Sequence, residues 1–237
     1  MTPGGHVPDT HHGLEARIAD VVAEVGAVVK PRLRGVLHEA AFAISLVTGT
    51  ALVCLANGPR ERVATAVYAG SVALLFGTSA AYHRGVWSPR AYDLMARLDH
   101  SMIFVLIAGS YTPFALLLLN GGAQWAVLAV VWGGALLGVV LRNVLRQPPR
   151  WLFVGLYLAL GWIAVGLMPA VLRRGGVAVL VLLAVGGLFY TAGALVYALR
   201  RPDPSPRWFG FHEVFHACTL LAFATHYVAV SITTYSS

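Results

Sequence analysis

Long apolar runs, broken by short polar gaps, set the pattern of this chain. Seven runs come close to the roughly 20 residues that a bilayer-crossing helix needs. They lie at about 36–56, 63–83, 99–119, 124–141, 151–172, 176–199 and 209–232. The gaps carry turn and charge signals, among them Asn57-Gly-Pro-Arg60, Ser88-Pro-Arg90, Asn120-Gly-Gly122 and Pro202-Asp-Pro204. These connections are too short to hide a second domain, so residues 31–237 read as one seven-helix transmembrane domain. Residues 1–13, rich in Gly, Pro and His, read as a disordered tail. They lack an apolar stretch, so a signal peptide is not expected. Residues 14–30 differ. Leu14, Ile18, Val21, Val22, Val25, Val28 and Val29 recur at helical spacing among Glu15, Arg17, Asp20 and Glu24. That pattern predicts an amphipathic helix on the membrane surface or against the bundle.

Composition narrows the class to an all-α membrane protein. Hydrophobic residues make up 58% of the 237 and charged residues 11%, against about 25% charged in soluble domains. Yet the net charge is +7, and the distribution of that charge is informative. The Arg residues stand in short groups between apolar runs and form no basic face, which argues against nucleic-acid binding. Twelve basic residues flank alternate gaps: Lys30, Arg32 and Arg34; Arg84, Arg90 and Arg97; Arg142, Arg146 and Arg150; Arg200, Arg201 and Arg207. The opposite side has four: Arg60, Arg62, Arg173 and Arg174. Positive charge collects on the cytoplasmic side. The expected topology therefore has the N-terminus in the cytoplasm and the C-terminus outside, in the inner (plasma) membrane.

Ionisable groups within spans are costly and usually functional. With this topology they gather at one depth. His38 and Glu39 open the first span, Ser79 and His83 close the second, Asp99 and His100 open the third, and His212, Glu213 and His216 open the seventh. All fall in the cytoplasmic third. His212 and His216 are four residues apart and share a helix face, as do Ser79 and His83. His83, His212 and His216 can thus meet one cation. Three His ligands with an open fourth position are a catalytic zinc arrangement. Zinc lowers the pKa of a bound water toward about 7. Asp99 is then the expected proton acceptor, and Ser79 a hydrogen-bond donor or oxyanion stabiliser. His212-Glu-Val-Phe-His216 also matches the H-E-x-x-H zinc motif, in which the Glu is the base. Asp99 is preferred over Glu213, which stands 100° round the helix from His212 and can face an Arg at the boundary.

The other polar positions have structural readings. Glu39 and His38 are expected to pair with Arg32 or Arg34, and His100 to lie outside the ligand set. His226, about 15 Å beyond His216 along a helix, is expected to bond a neighbouring helix. Pro113 and Pro169 are expected to kink their spans. Cys54 and Cys218 lie at different depths, so no disulfide is expected between them.

These residues resemble the hemolysin III family, a bacterial branch of the progestin and adiponectin receptor superfamily. The strings that carry the resemblance are Pro31-Arg-Leu-Arg-Gly-Val-Leu-His-Glu39, Ser79-Ala-Ala-Tyr-His83, Leu98-Asp-His-Ser101, Ala108-Gly-Ser-Tyr-Thr-Pro-Phe114, Phe189-Tyr-Thr-Ala-Gly-Ala-Leu-Val-Tyr-Ala-Leu199 and His212-Glu-Val-Phe-His216. The resemblance implies seven helices, a zinc ion on the three His, and Asp and Ser near the metal-bound water. For the receptor branch it implies hydrolysis of a lipid amide; for hemolysin III proteins the inherited label is cytolysis. The expected function is zinc-dependent hydrolysis of an amide or ester in a membrane lipid, with the acyl chain among the spans. The alternatives are a pore-forming cytolysin, or a membrane sensor or zinc-handling protein without turnover.

Overall fold

The computed structural model describes residues 31–145 and 149–236. The expected tail at 1–13 and amphipathic helix at 14–30 lie outside the described residues. Within them the chain is helical, with a single isolated bridge between Ser205 and Phe209. The helices are α1 (Val36–Cys54), α2 (Pro59–Arg84), α3 (Pro89–Leu118), α4 (Gly121–Val144), α5 (Arg150–Trp162), α6 (Met168–Leu199) and α7 (Phe211–Tyr235), with a 3₁₀ turn at Ile163–Leu167. Six helical stretches among the described residues are long and apolar enough to cross a membrane. The fifth of these runs from Arg150 to Leu199 and contains both the fifth and sixth expected spans. It is broken at Gly176 (φ 82°, ψ 175°), a backbone conformation essentially confined to glycine.

Prolines punctuate the helix starts. Pro59 and Pro89 each stand in a first turn, where a missing N–H costs nothing. The Ser88 hydroxyl accepts from Ala91 N at 3.4 Å and caps α3. This helix begins about ten residues before the expected span. Arg90, Asp93 and Arg97 lower the local hydropathy of that first stretch, although Tyr92, Leu94, Met95 and Leu98 continue the helical pattern. Pro169 falls in the first turn of α6, so the expected mid-span kink appears instead as the 3₁₀ turn just before it. The Tyr111 hydroxyl donates to Gly161 O at 2.6 Å, satisfying a carbonyl where α5 tightens into that turn. Pro113 stands inside α3, which continues through it.

Sequence neighbours pack against one another, and α3 also meets α5, α6 and α7. It is the central helix, with 67% of its most apolar window buried. Val47, Val130, Leu136, Leu188 and Leu221 are exposed on the outer helices, as a surface solvated by acyl chains requires. The two ends of the bundle differ. At one end Arg174 donates to Leu118 O at 2.9 Å and Arg60 to Leu119 O at 3.3 Å, so two cations cap the C-terminus of α3. At the other end the segment before α1 is tied to the loop before α7. Arg32 N donates to Arg207 O and Leu33 N to Trp208 O, at 3.0 and 3.3 Å. This tie brings the start of α1 against the start of α7 and the end of α2.

Candidate metal centre

Two helix ends and the third turn of α3 meet at the tied end of the bundle. The last two turns of α2 carry Ser79 and His83, the first turns of α7 carry His212 and His216, and α3 supplies Asp99. His83, His212 and His216 each offer a ring nitrogen within 4.8 Å of the others. His83 Nε2 and His212 Nε2 are 3.2 Å apart. Ligand nitrogens at about 2.0–2.1 Å from a tetrahedral zinc lie about 3.4 Å from each other. The spacing of this pair therefore fits a shared ion with little movement. His216 is 2% exposed and His83 6%, so the ligands sit below the protein surface.

Asp99 faces the triad. Its Oδ2 is 4.0 Å from His83 Nε2, and its side chain is 13% exposed. Ser79, buried, lies beside the Asp99 carboxylate. All five expected site residues thus meet at one place, although Asp99 comes from within α3 rather than from its first turn. The set could hold a divalent ion: three imidazoles with ring nitrogens close together, and a carboxylate and a hydroxyl next to them.

Glu213 is engaged elsewhere. Its Oε2 accepts from Gly210 N at 2.8 Å, and its Oε1 accepts from Arg34 Nε. The Asp203 carboxylate accepts from Phe211 N at 2.8 Å. Two carboxylates therefore satisfy orphan N–H groups at the start of α7 and complement its dipole. These contacts fix the turn that presents His212.

The expected pairing of Glu39 and His38 with Arg32 or Arg34 is not what forms. Glu39 pairs with Arg84 at 3.0 Å on an exposed surface. Arg34 reaches Glu213, and Arg32 lies 4.5 Å over the Trp208 ring. The reason is geometric: the tie to the loop turns these arginines toward α7, and α2 ends beside Glu39. His38 is buried and stacks face to face on His216, with centroids 3.7 Å apart and planes 13° apart.

His100 lies outside the triad. Its Nδ1 is 2.6 Å from Ala96 O. A carbonyl only accepts, so Nδ1 donates, and Nε2 of the neutral ring accepts from the Tyr197 hydroxyl at 3.1 Å. Tyr157 donates to His100 O at 3.0 Å. Tyr197, whose ring is 5.8 Å from that of His212, and Tyr157 stand next to the site, and neither was singled out from the sequence. Both sit in apolar runs, where a Tyr reads as core or interface. His226 meets Leu183 O at 3.4 Å on α6, the interhelical contact expected of it. Cys54 and Cys218 are free thiols.

Comparison with known proteins adds the following. A family model described as "Haemolysin-III related" matches residues 27–227. The chain is 35% identical over 136 residues to "Hemolysin-3" of Bacillus cereus, a match covering 57% of this chain and 61% of that protein. It is 33% identical over 153 residues to "Hemolysin-3 homolog" of Bacillus subtilis, covering 63% and 70%. It is 30% identical over 183 residues to "Heptahelical transmembrane protein ADIPOR2" of Oryza sativa, covering 69% and 78%. The match to the Bacillus cereus protein spans less than two thirds of that protein's length.

Proposed function

The chain belongs to the haemolysin-III-related family and is a multi-pass integral protein of the plasma membrane; from that premise we propose that it is a zinc-dependent hydrolase of an amide or ester bond in a membrane lipid. The observation that carries this reading is the meeting of three imidazoles, with ligand atoms within 4.8 Å, beside a largely buried carboxylate. His83, His212 and His216 hold the ion. A zinc ion so held supplies Lewis-acid activation of a water and a carbonyl oxygen. Asp99 accepts the proton from the attacking water and returns it to the leaving amine or alkoxide as the C–N or C–O bond breaks, a role worth about 10²–10⁴ in rate. The Ser79 hydroxyl donates to the carbonyl oxygen as negative charge develops. The acyl chain lies along the apolar helices, which leaves the polar headgroup at the end where the triad sits.

The reading includes seven spans, with the break at Gly176 dividing Arg150–Leu199 into two. It places the N-terminus in the cytoplasm and the triad at the cytoplasmic end. The name of the "Heptahelical" relative supports the span count. The name "Hemolysin-3" favours a second reading, membrane lysis. A conducting pore needs polar lining through the full depth, whereas the ionisable cluster described here lies at one end.

Metal analysis of the detergent-purified chain tests the proposal. About one zinc per chain is expected in wild type and a loss in His216→Ala; wild type without metal removes the centre. Fatty-acid release from ceramide and acyl-lipid mixtures is expected in wild type and lost in Asp99→Ala. Zinc bound without turnover in any mixture would leave a sensor or zinc-handling protein. Liposome leakage that survives loss of the His ligands would favour lysis.

A further inference from the structure

His216 lacks the usual support of a ligand histidine. Such residues normally donate the second ring N–H to a carboxylate or carbonyl, which fixes the ring's orientation. Here Nδ1 of His216 is buried and has no hydrogen-bond partner among the described residues. The ring is in contact with neighbouring rings instead. The group packed on it is His38, face to face at 3.7 Å.

His38 is itself 3% exposed, and neither of its ring nitrogens has a hydrogen-bond partner among the described residues. Whatever His38 gives its neighbours in this structure, it gives through its ring faces and edges. One face lies on His216. The ring also meets Phe76 of α2 edge to face, with centroids 5.0 Å apart. Phe76 in turn meets Phe223 of α7 at 5.3 Å. Phe223, Phe76, His38 and His216 form a continuous column of rings from the apolar core to the metal ligand. The start of α1 is held in place for this by Gly35, whose added Cβ would come within 2.7 Å of His83 Cβ.

We propose that His38 is a positioning residue of the metal centre: its flat ring, wedged between Phe76 and His216, sets the plane in which His216 presents its ligand nitrogen. The inference rests on the metal-centre reading of the triad. It adds a residue from a fourth helix, which makes the centre depend on the docking of α1.

Substitutions that keep volume but differ in flatness test it. Full-length His38→Phe and His38→Leu, purified in detergent, are stripped of metal and titrated with Co²⁺ and Zn²⁺ against a chelator. The visible cobalt spectrum reports coordination geometry, and the melting temperature of the metal-free chain reports packing alone. His38→Phe is expected to keep the wild-type cobalt band and affinity. His38→Leu is expected to weaken binding about 10–100-fold and change the band, at a metal-free melting temperature like that of His38→Phe. Wild-type affinity and spectrum in His38→Leu would overturn the inference, as would equal losses in both variants. A wild-type chain that binds neither ion removes the metal centre and this inference together; a wild type that binds, matched by His38→Leu, removes this inference alone.

Discussion

The residues from Pro31 to His38 reach the centre from outside the three helices that carry the expected ligands, catalytic carboxylate and hydroxyl. Arg34 pairs with Glu213, whose side chain is 1% exposed. Breaking such a buried pair leaves an uncompensated charge, at about 3–5 kcal/mol. Arg34→Ala is therefore expected to lower the melting temperature in detergent markedly, and Arg34→Met with Glu213→Met to recover most of the loss. Equal stability of Arg34→Ala and wild type would show that the pair carries no weight. Gly35 has φ +81°, and a Cβ there would press on His83. The left-handed backbone costs a non-glycine residue about 1–2 kcal/mol. Gly35→Ala should thus be less stable and weaker in metal binding. Gly70→Ala, whose added Cβ meets nothing within 4 Å, is the control and should leave metal binding unchanged and stability equal or up to about 1 kcal/mol higher. The spacing of His212 and His216 was legible in the sequence because a helix has one period. The commitment of Glu213 was not, because its partner is 179 residues away.

At the scale of elements, the apolar runs fall on the six membrane-capable helical stretches of the described residues, but hydropathy misjudged where some begin and end. The first turns of α3 are amphipathic, so a window that averages apolar character starts the span too late. The Ser88-Pro89 signal was present, and read as a helix start it marks the true N-terminus. In the Arg150–Leu199 stretch a gap is expected between spans 151–172 and 176–199, and the structure keeps helix on both sides of a single non-helical residue, Gly176. Gly176→Ala is expected to cost about 1–3 kcal/mol. It should appear as a lower melting temperature with metal stoichiometry unchanged, since Gly176 lies in a different part of the fold from the triad. A variant as stable as wild type would mean the break at 176 imposes no strain. Arg60 and Arg174, two of the four basic residues on the sparse side, bond the last carbonyls of α3. Their presence has a structural cause beyond the charge count.

For the molecule as a whole, orientation remains the property with the sharpest test. Cys54 is exposed at the last residue of α1, the end opposite His38. A membrane-impermeant maleimide added to intact cells should label Cys54 in the Cys218→Ser chain. Labelling only after the membrane is opened would invert the topology and place the triad outside. The sequence by itself determined the class, the apolar runs and the depth at which polar groups collect. Those follow from hydropathy and from charge on the loops, which act residue by residue. It also led to the expectation that His83, His212, His216, Asp99 and Ser79 share one level, since alternating spans carry these stretches to the same side. Only the tertiary structure decided which neighbours those groups meet. The pairing of Arg34 with Glu213, the tie of residues 32 and 33 to the loop before α7, and the stacking of His38 on His216 depend on how helices rotate and dock. That rotation is set by packing among side chains distant in the chain, which no local period records.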